Sequence, residues 1–337
     1  MHGGSRRLKN EGCSRRRMKK AIAIGLSLLI TGVVSWFLLK SVPASAFVDA
    51  FSHVSVYAIV VGFVMAVLMA VIDGVRYWEL LRRKTSIDHM TSVACLHNML
   101  INVMPARTGD LSFPYFAHRF GVPLGAGVGS LVVARVFDVF ALATLLFTGA
   151  WLVPGTTLFA EAKVPMLITT GVLLLILILV VVFRHAAHTV VHKIANVTKV
   201  SQHKVGQWLL QKFEEVLHGL DVLKSPTSLF IVYVCSVANW LAQCVITLVL
   251  TQALGLPLSF AHIMLAVALV NVISSLPIQG FAGFGTIEAI WAGVLAGLGI
   301  PFVSGVAAGL LIHVANLAYT AIVGMYGGMR VLSWQRK

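Results

Sequence analysis

Long apolar stretches separated by short basic loops run through this chain of 337 residues. Runs at 21–39, 164–183 and 229–254 approach the roughly 20 apolar residues that a helix needs to cross a bilayer. Further apolar segments lie at 57–81, 124–152 and 301–329. Two regions depart from the pattern, at about 90–122 and 261–299, because each carries Pro, Gly and ionisable residues in its middle. The first break reads Asn102-Val103-Met104-Pro105-Ala106-Arg107-Thr108-Gly109-Asp110. The second reads Leu276-Pro277-Ile278-Gln279-Gly280-Phe281-Ala282-Gly283-Phe284-Gly285-Thr286-Ile287-Glu288. Broken helices and charge at membrane depth are tolerated only inside protein or beside a water-filled cavity. The pattern therefore predicts an all-α, polytopic integral membrane protein with a transport site at the two breaks.

Charge placement sets the topology. If every apolar stretch crossed fully, the basic segment 184–225 would lie outside, against the positive-inside rule. The conflict disappears if 90–122 is a re-entrant hairpin that enters from the cytoplasm and returns there. The second half then repeats the first upside down, with a hairpin at 261–299 entering from outside. The hairpin prolines Pro105 and Pro277 follow the similar Leu100-Ile101-Asn102-Val103 and Val270-Asn271-Val272-Ile273. Two inverted span–hairpin–span repeats are the architecture of many secondary transporters. Two pairs of short full crossings are the alternative. The expected organisation is a basic cytoplasmic tail at 1–20, a single transmembrane domain at 21–330 and a cytoplasmic C-terminus at 331–337. Within the domain, 184–225 is expected to form amphipathic helix on the cytoplasmic surface. Ala44-Ser45-Ala46 imitates a signal-peptidase site, but the preceding apolar run is too long for a signal core, so an uncleaved first helix is expected.

Composition narrows the function. With 58% hydrophobic and 11% charged residues, the soluble classes are excluded. The net charge of +14 collects beside the apolar spans, which fits anionic lipid headgroups and not nucleic acid. The four cysteines show no metal spacing. His185, His188 and His192 share a helical face without carboxylate or Cys partners, and read as a solvated face. The sequon Asn196-Val197-Thr198 falls on the cytoplasmic side and is discounted. No phosphate-binding GxxxxGK[ST] loop, HExxH or GxSxG is present, so no cofactor, metal or ATP-driven step is expected.

The candidate substrate-binding residues follow from the breaks. Arg107 stands where helix and breaker meet, and its guanidinium suits a bidentate grip on phosphate. Asn102 and Asp110 flank it. Arg135 and Asp138 lie i, i+3 on the next span and face the same way. They form either a structural ion-pair network or part of that grip. Gly280, Gly283 and Gly285 either let backbone amides approach an anion or serve close helix packing. Glu288 either complements the following helix's dipole, meets a cationic headgroup or carries a proton. Asp73 and Arg76 lie near the end of a span and read as an interfacial pair within reach of water.

These residues carry a resemblance. Asn102…Pro105-Ala106-Arg107-Thr108-Gly109-Asp110, then Val133-Ala134-Arg135-Val136-Phe137-Asp138, then Leu276-Pro277…Gly280…Gly283-Phe284-Gly285…Glu288 and Gly297-Leu298-Gly299-Ile300-Pro301 occur in order. The chain thus resembles the family that includes the membrane-embedded flippase half of lysylphosphatidylglycerol synthase. The resemblance implies an inner-membrane protein that moves polar lipids between leaflets, of aminoacyl-phospholipid, glycolipid, hopanoid or polyprenyl-phosphate type. It departs in two ways. The synthase's soluble aminoacyltransferase domain is missing, so lysine transfer is not expected, and His313 stands where relatives are expected to carry Arg. The leading expectation is a non-enzymatic flippase or facilitator whose partners are lipids with anionic phosphate headgroups, with a lipid-biosynthesis enzyme as a further partner. A membrane-embedded transferase or hydrolase, using Asp110, Glu288 or His97, and a non-catalytic assembly subunit are the rivals.

Overall fold

The computed structural model describes residues 52, 54–153, 225–274 and 281–334, with the side chains of 105–107 and 281 outside that description. The expected first span, the 164–183 span, the amphipathic segment and both basic termini lie outside the described residues. Eight α-helices run through the described residues: α1 (Val56–Leu80), α2 (Ile87–Val103), α3 (Ser112–His118), α4 (Leu124–Leu152), α5 (Pro226–Ala253), α6 (Phe260–Ile273), α7 (Thr286–Gly297) and α8 (Phe302–Trp334). Short 3-10 turns at Pro105–Leu111 and Phe281–Gly283 interrupt the two breaks, and no strand occurs among the described residues.

Local chemistry starts several of these helices. Ser55 accepts the Ala58 amide at 3.2 Å and opens α1. Ser225 accepts the Ser228 amide at 3.3 Å, and Pro226, which has no N–H to leave orphaned, takes the first position of α5. Ser259 and His262 form a reciprocal capping box at the start of α6. α2 ends just before Pro105, whose missing N–H stops the ladder where the sequence places the first break. Four helices, α1, α4, α5 and α8, are long and apolar enough to cross a membrane. The chain is a multi-pass membrane protein.

α1 shows how the helices divide their faces. Val56, Val60, Val64, Val67 and Val71 are exposed along one stripe. Ala58, Gly62, Ala66, Ala70 and Gly74 are buried at every fourth position on another. Small residues at that spacing let backbones approach closely, which drives helix association where lipid removes the hydrophobic incentive. α1 packs on both α5 and α2. At Gly74 a Cβ would come within 2.6 Å of the Thr91 Cα. Gly74→Val is therefore expected to destabilise the protein by about 3 kcal/mol, read as a lowered unfolding midpoint in detergent. Gly293, whose added Cβ would meet nothing within 4 Å, is the control and Gly293→Ala should not lower the midpoint.

The packing is paired between the two halves. α2 on α8 answers α6 on α4, α3 on α4 answers α7 on α8, and α1 on α2 answers α5 on α6. The two 3-10 turns, at the tips of the two breaks, touch each other. The apolar core lies mainly between α4, α5, α6, α7 and α8, with a second cluster around Tyr77, Phe113 and Phe137.

Candidate functional site

Arg76 is the hub of a buried charge network. One Nη donates to Asp138 of α4 and to Ser236 Oγ of α5 at 3.1 Å. The other pairs with Asp73, one turn back on α1, at 2.8 Å. Asn98 of α2 donates its amide to the second oxygen of Asp73 at 2.8 Å. Arg135 extends the chain, meeting Asp138 at 3.5 Å and Asp110 at 2.5 Å. Asp110 sits on the turn Pro105–Leu111, so this last pair ties the first hairpin's tip to α4.

Asp73 and Arg76 are each 3% exposed, which corrects the expectation of an interfacial pair in reach of water. Their position near a helix end suggested the interface, but α2, α4 and α5 cover them. The missed signal was in the sequence: Asp73 and Arg76 repeat the i, i+3 spacing of Asp138 and Arg135, beside the small-residue stripe. The described network holds three carboxylates and two guanidiniums. Arg107 lies on the same turn as Asp110, three residues before it, with its side chain outside the described residues.

The second half carries a different pair. His313 of α8 places Nδ1 2.7 Å from Glu288 Oε1 and Nε2 2.9 Å from the Ala282 carbonyl oxygen. Glu288 is 3% and His313 5% exposed. A carbonyl only accepts, so Nε2 carries the hydrogen and donates to Ala282. Nδ1 then faces the Glu288 carboxyl. His313 thus fills the partner role that the resemblance assigns to an Arg. The turn it holds is strained, with non-glycine Ala282 at φ 49°. Gly285, at φ 82°, supplies the left-handed residue that starts α7. Gly283 is buried at φ 78°, a left-handed backbone that favours glycine, with the end of the Ile287 side chain against it. Gly280 lies outside the described residues.

A cavity of about 490 Å³ joins the two clusters. Asp110, Arg135, Asp138 and Asn102 line it from the first half, and Gly283 and His313 from the second. Two asparagines occupy like positions at the ends of α2 and α6. Asn102 donates to the Asn98 carbonyl and Asn271 to the Val267 carbonyl, both four residues back and both at 2.8 Å. Each amide closes the first limb of its hairpin, and each residue lines the cavity. His97, the remaining candidate base, meets Ser112 Oγ at 2.8 Å through Nδ1 and packs its ring against Tyr77 and Phe113. No group of three or more His, Cys, Asp or Glu suited to a metal occurs among the described residues.

Sequence reasoning also passed over Asn239, Trp240 and Gln243 of α5 and Asn316 of α8, all of which line the cavity. Their only signal is polar side chains at i, i+4 spacing within otherwise apolar spans.

A family model described as the lysylphosphatidylglycerol synthase TM region matches residues 22–324. No curated protein matches the chain.

Proposed function

Since the chain belongs to the lysylphosphatidylglycerol synthase transmembrane-region family, we propose that it is a lipid flippase or facilitator of the inner membrane. It carries the headgroup of a phosphate-bearing polar lipid through the cavity while the tails stay in the bilayer. The single observation that supports this reading is the cavity itself, a space of mixed lining that carries Asp110, Arg135 and Asp138 between apolar helices where the two 3-10 turns meet.

Limb length supports re-entrant hairpins in inverted repeats. α6 and α7, with 14 and 12 residues, extend about 21 and 18 Å, short of a roughly 30 Å hydrocarbon core. The paired packing of the halves fits the same symmetry. Both termini are then cytoplasmic, beside their basic residues. In this reading Arg135, with its side chain 39% exposed on the cavity lining, meets the phosphate, and Arg107 is the second guanidinium proposed for that grip.

The test is leaflet exchange of acyl-chain-labelled anionic phospholipid in liposomes holding the purified protein. Wild type is expected to exceed empty liposomes. Arg107→Ala is expected to lose about tenfold to a hundredfold, the worth of a charge-assisted hydrogen bond. Exchange no faster than in empty liposomes defeats the transport reading, and full exchange by Arg107→Ala removes Arg107 from it. The lipid recovered is expected to be chemically unchanged, whereas a new product favours the enzymatic rival.

A further inference from the structure

The cavity wall between the two charge clusters is built from uncharged hydrogen-bonding groups. α5 contributes Asn239, Trp240 and Gln243, and α8 contributes Asn316 and Thr320. Two of these groups are unusual in an apolar span. Asn239 Oδ1 and Trp240 Nε1 are buried and have no hydrogen-bond partner among the described residues. Leaving a buried polar group unpaired costs about 1–3 kcal/mol, so a wall that keeps two side by side in sequence is shaped for something that arrives.

Their chemistry selects the arrival. An indole N–H only donates and an amide oxygen only accepts. A phosphate oxygen satisfies the indole and leaves the amide oxygen bare. An ammonium does the reverse. Hydroxyl groups do both, and carboxamides such as Gln243 and Asn316 meet them equally well as donors or acceptors. The indoles of Trp240 and Trp291, both on the lining, add flat apolar faces suited to the C–H side of a ring. The volume of about 490 Å³ is within the usual range for a small-molecule pocket.

We infer that this wall binds the hydroxyl-rich part of a lipid headgroup, a sugar or cyclic polyol, beside the position of the phosphate. The inference rests on the transport reading for its setting, and it names the class of headgroup carried. The hydroxyls have two possible sources, a polyol esterified to the phosphate or a sugar on a lipid without phosphate.

Competitive lipid binding to the full-length protein in detergent, read by native mass spectrometry, tests it without requiring transport. The probes share acyl chains: phosphatidylinositol, a hexosyl-diacylglycerol, and phosphatidylserine, which has the charge of phosphatidylinositol but no free hydroxyl. Phosphatidylinositol is expected to bind at least about tenfold tighter than phosphatidylserine, the scale of one or two lost hydrogen bonds. The double variant Asn239→Leu/Gln243→Met is expected to bring it down to the phosphatidylserine level. Asn239→Leu alone deletes an unpaired buried acceptor, so its unfolding midpoint should hold or rise while binding falls, a split that a structural role does not give. A hexosyl lipid that competes as well shows that hydroxyls suffice. One that fails while phosphatidylinositol binds shows that the phosphate is needed beside them, and both results support the wall's role. Equal binding of phosphatidylserine and phosphatidylinositol, or undiminished phosphatidylinositol binding by the double variant, overturns it. Such a failure leaves lipid exchange standing, and an absence of exchange leaves this binding result standing.

Discussion

Arg76→Met destabilises the protein by about 3–5 kcal/mol, the cost of leaving buried charge uncompensated. Arg76 faces both Asp73 and Asp138, and all three side chains are nearly or fully sealed from solvent. Methionine fills much of the volume but leaves two carboxylates facing each other without their common cation. The unfolding midpoint in detergent should fall steeply. The triple variant Arg76→Met/Asp73→Asn/Asp138→Asn should recover most of the loss, because amides remove the charge and keep hydrogen-bonding groups in place. Non-additivity of that size marks a coupled network. A triple variant no more stable than Arg76→Met would show that the guanidinium acts by packing and not by charge. The network ties α1 to α4 and α5 directly and to α2 through Asn98, so partial unfolding of the first half should accompany the loss.

His313→Leu has the second large effect, about 3 kcal/mol, the scale of buried polar groups left without their partner. It strips a partner from buried Glu288 and releases the Ala282 carbonyl together. The strained turn at Ala282 then loses the side chain that holds it, so the loss should include loosening of the second hairpin's tip. Hydrogen exchange across 281–289 reads that directly, and faster exchange there than in α1 is expected. Adding Glu288→Gln should restore part of the stability without re-protecting the turn, because an amide replaces the unpartnered carboxyl while the Ala282 contact stays broken. Restored protection of the turn in the double variant would mean that Glu288, not His313, sets its conformation.

Much of the fold was legible because lipid imposes a strong rule on sequence. The span expected at 124–152 coincides with α4, and those expected at 57–81 and 229–254 lie within three residues of α1 and α5 at each end. Pro105 ended α2 where expected. The pairing of Arg135 with Asp138 was legible from i, i+3 spacing, and its structural side is real: Arg135 bonds both Asp138 and Asp110. What was not legible is which helix covers which. Asp73 and Arg76 sit near a helix end by count, yet three other helices close over them, and the i, i+3 spacing beside a small-residue stripe hints at a pair without naming those helices. The same holds for Asn239 and Gln243, which look like isolated polar residues until the folded helices set them opposite Asn316. The partner of Glu288 was also beyond sequence, since His313 lies 25 residues away on another helix. Gly283 and Gly285 both take positive φ, at 78° and 82°, a backbone need that the sequence alone did not distinguish from packing or from an approach to an anion.

The central claim is that a lipid headgroup passes through the cavity between the hairpin tips. Asn102 is exposed and lines that cavity, so a thiol placed there can be blocked after folding. The decisive measurement compares leaflet exchange by Asn102→Cys in liposomes before and after reaction with a bulky methanethiosulfonate. Wild type treated alike controls for the native cysteines, of which Cys95 and Cys244 are buried. Passage through the cavity predicts that blocked Asn102→Cys falls to the rate of empty liposomes while treated wild type does not. Undiminished exchange with the thiol fully modified would place the lipid path elsewhere and contradict the claim.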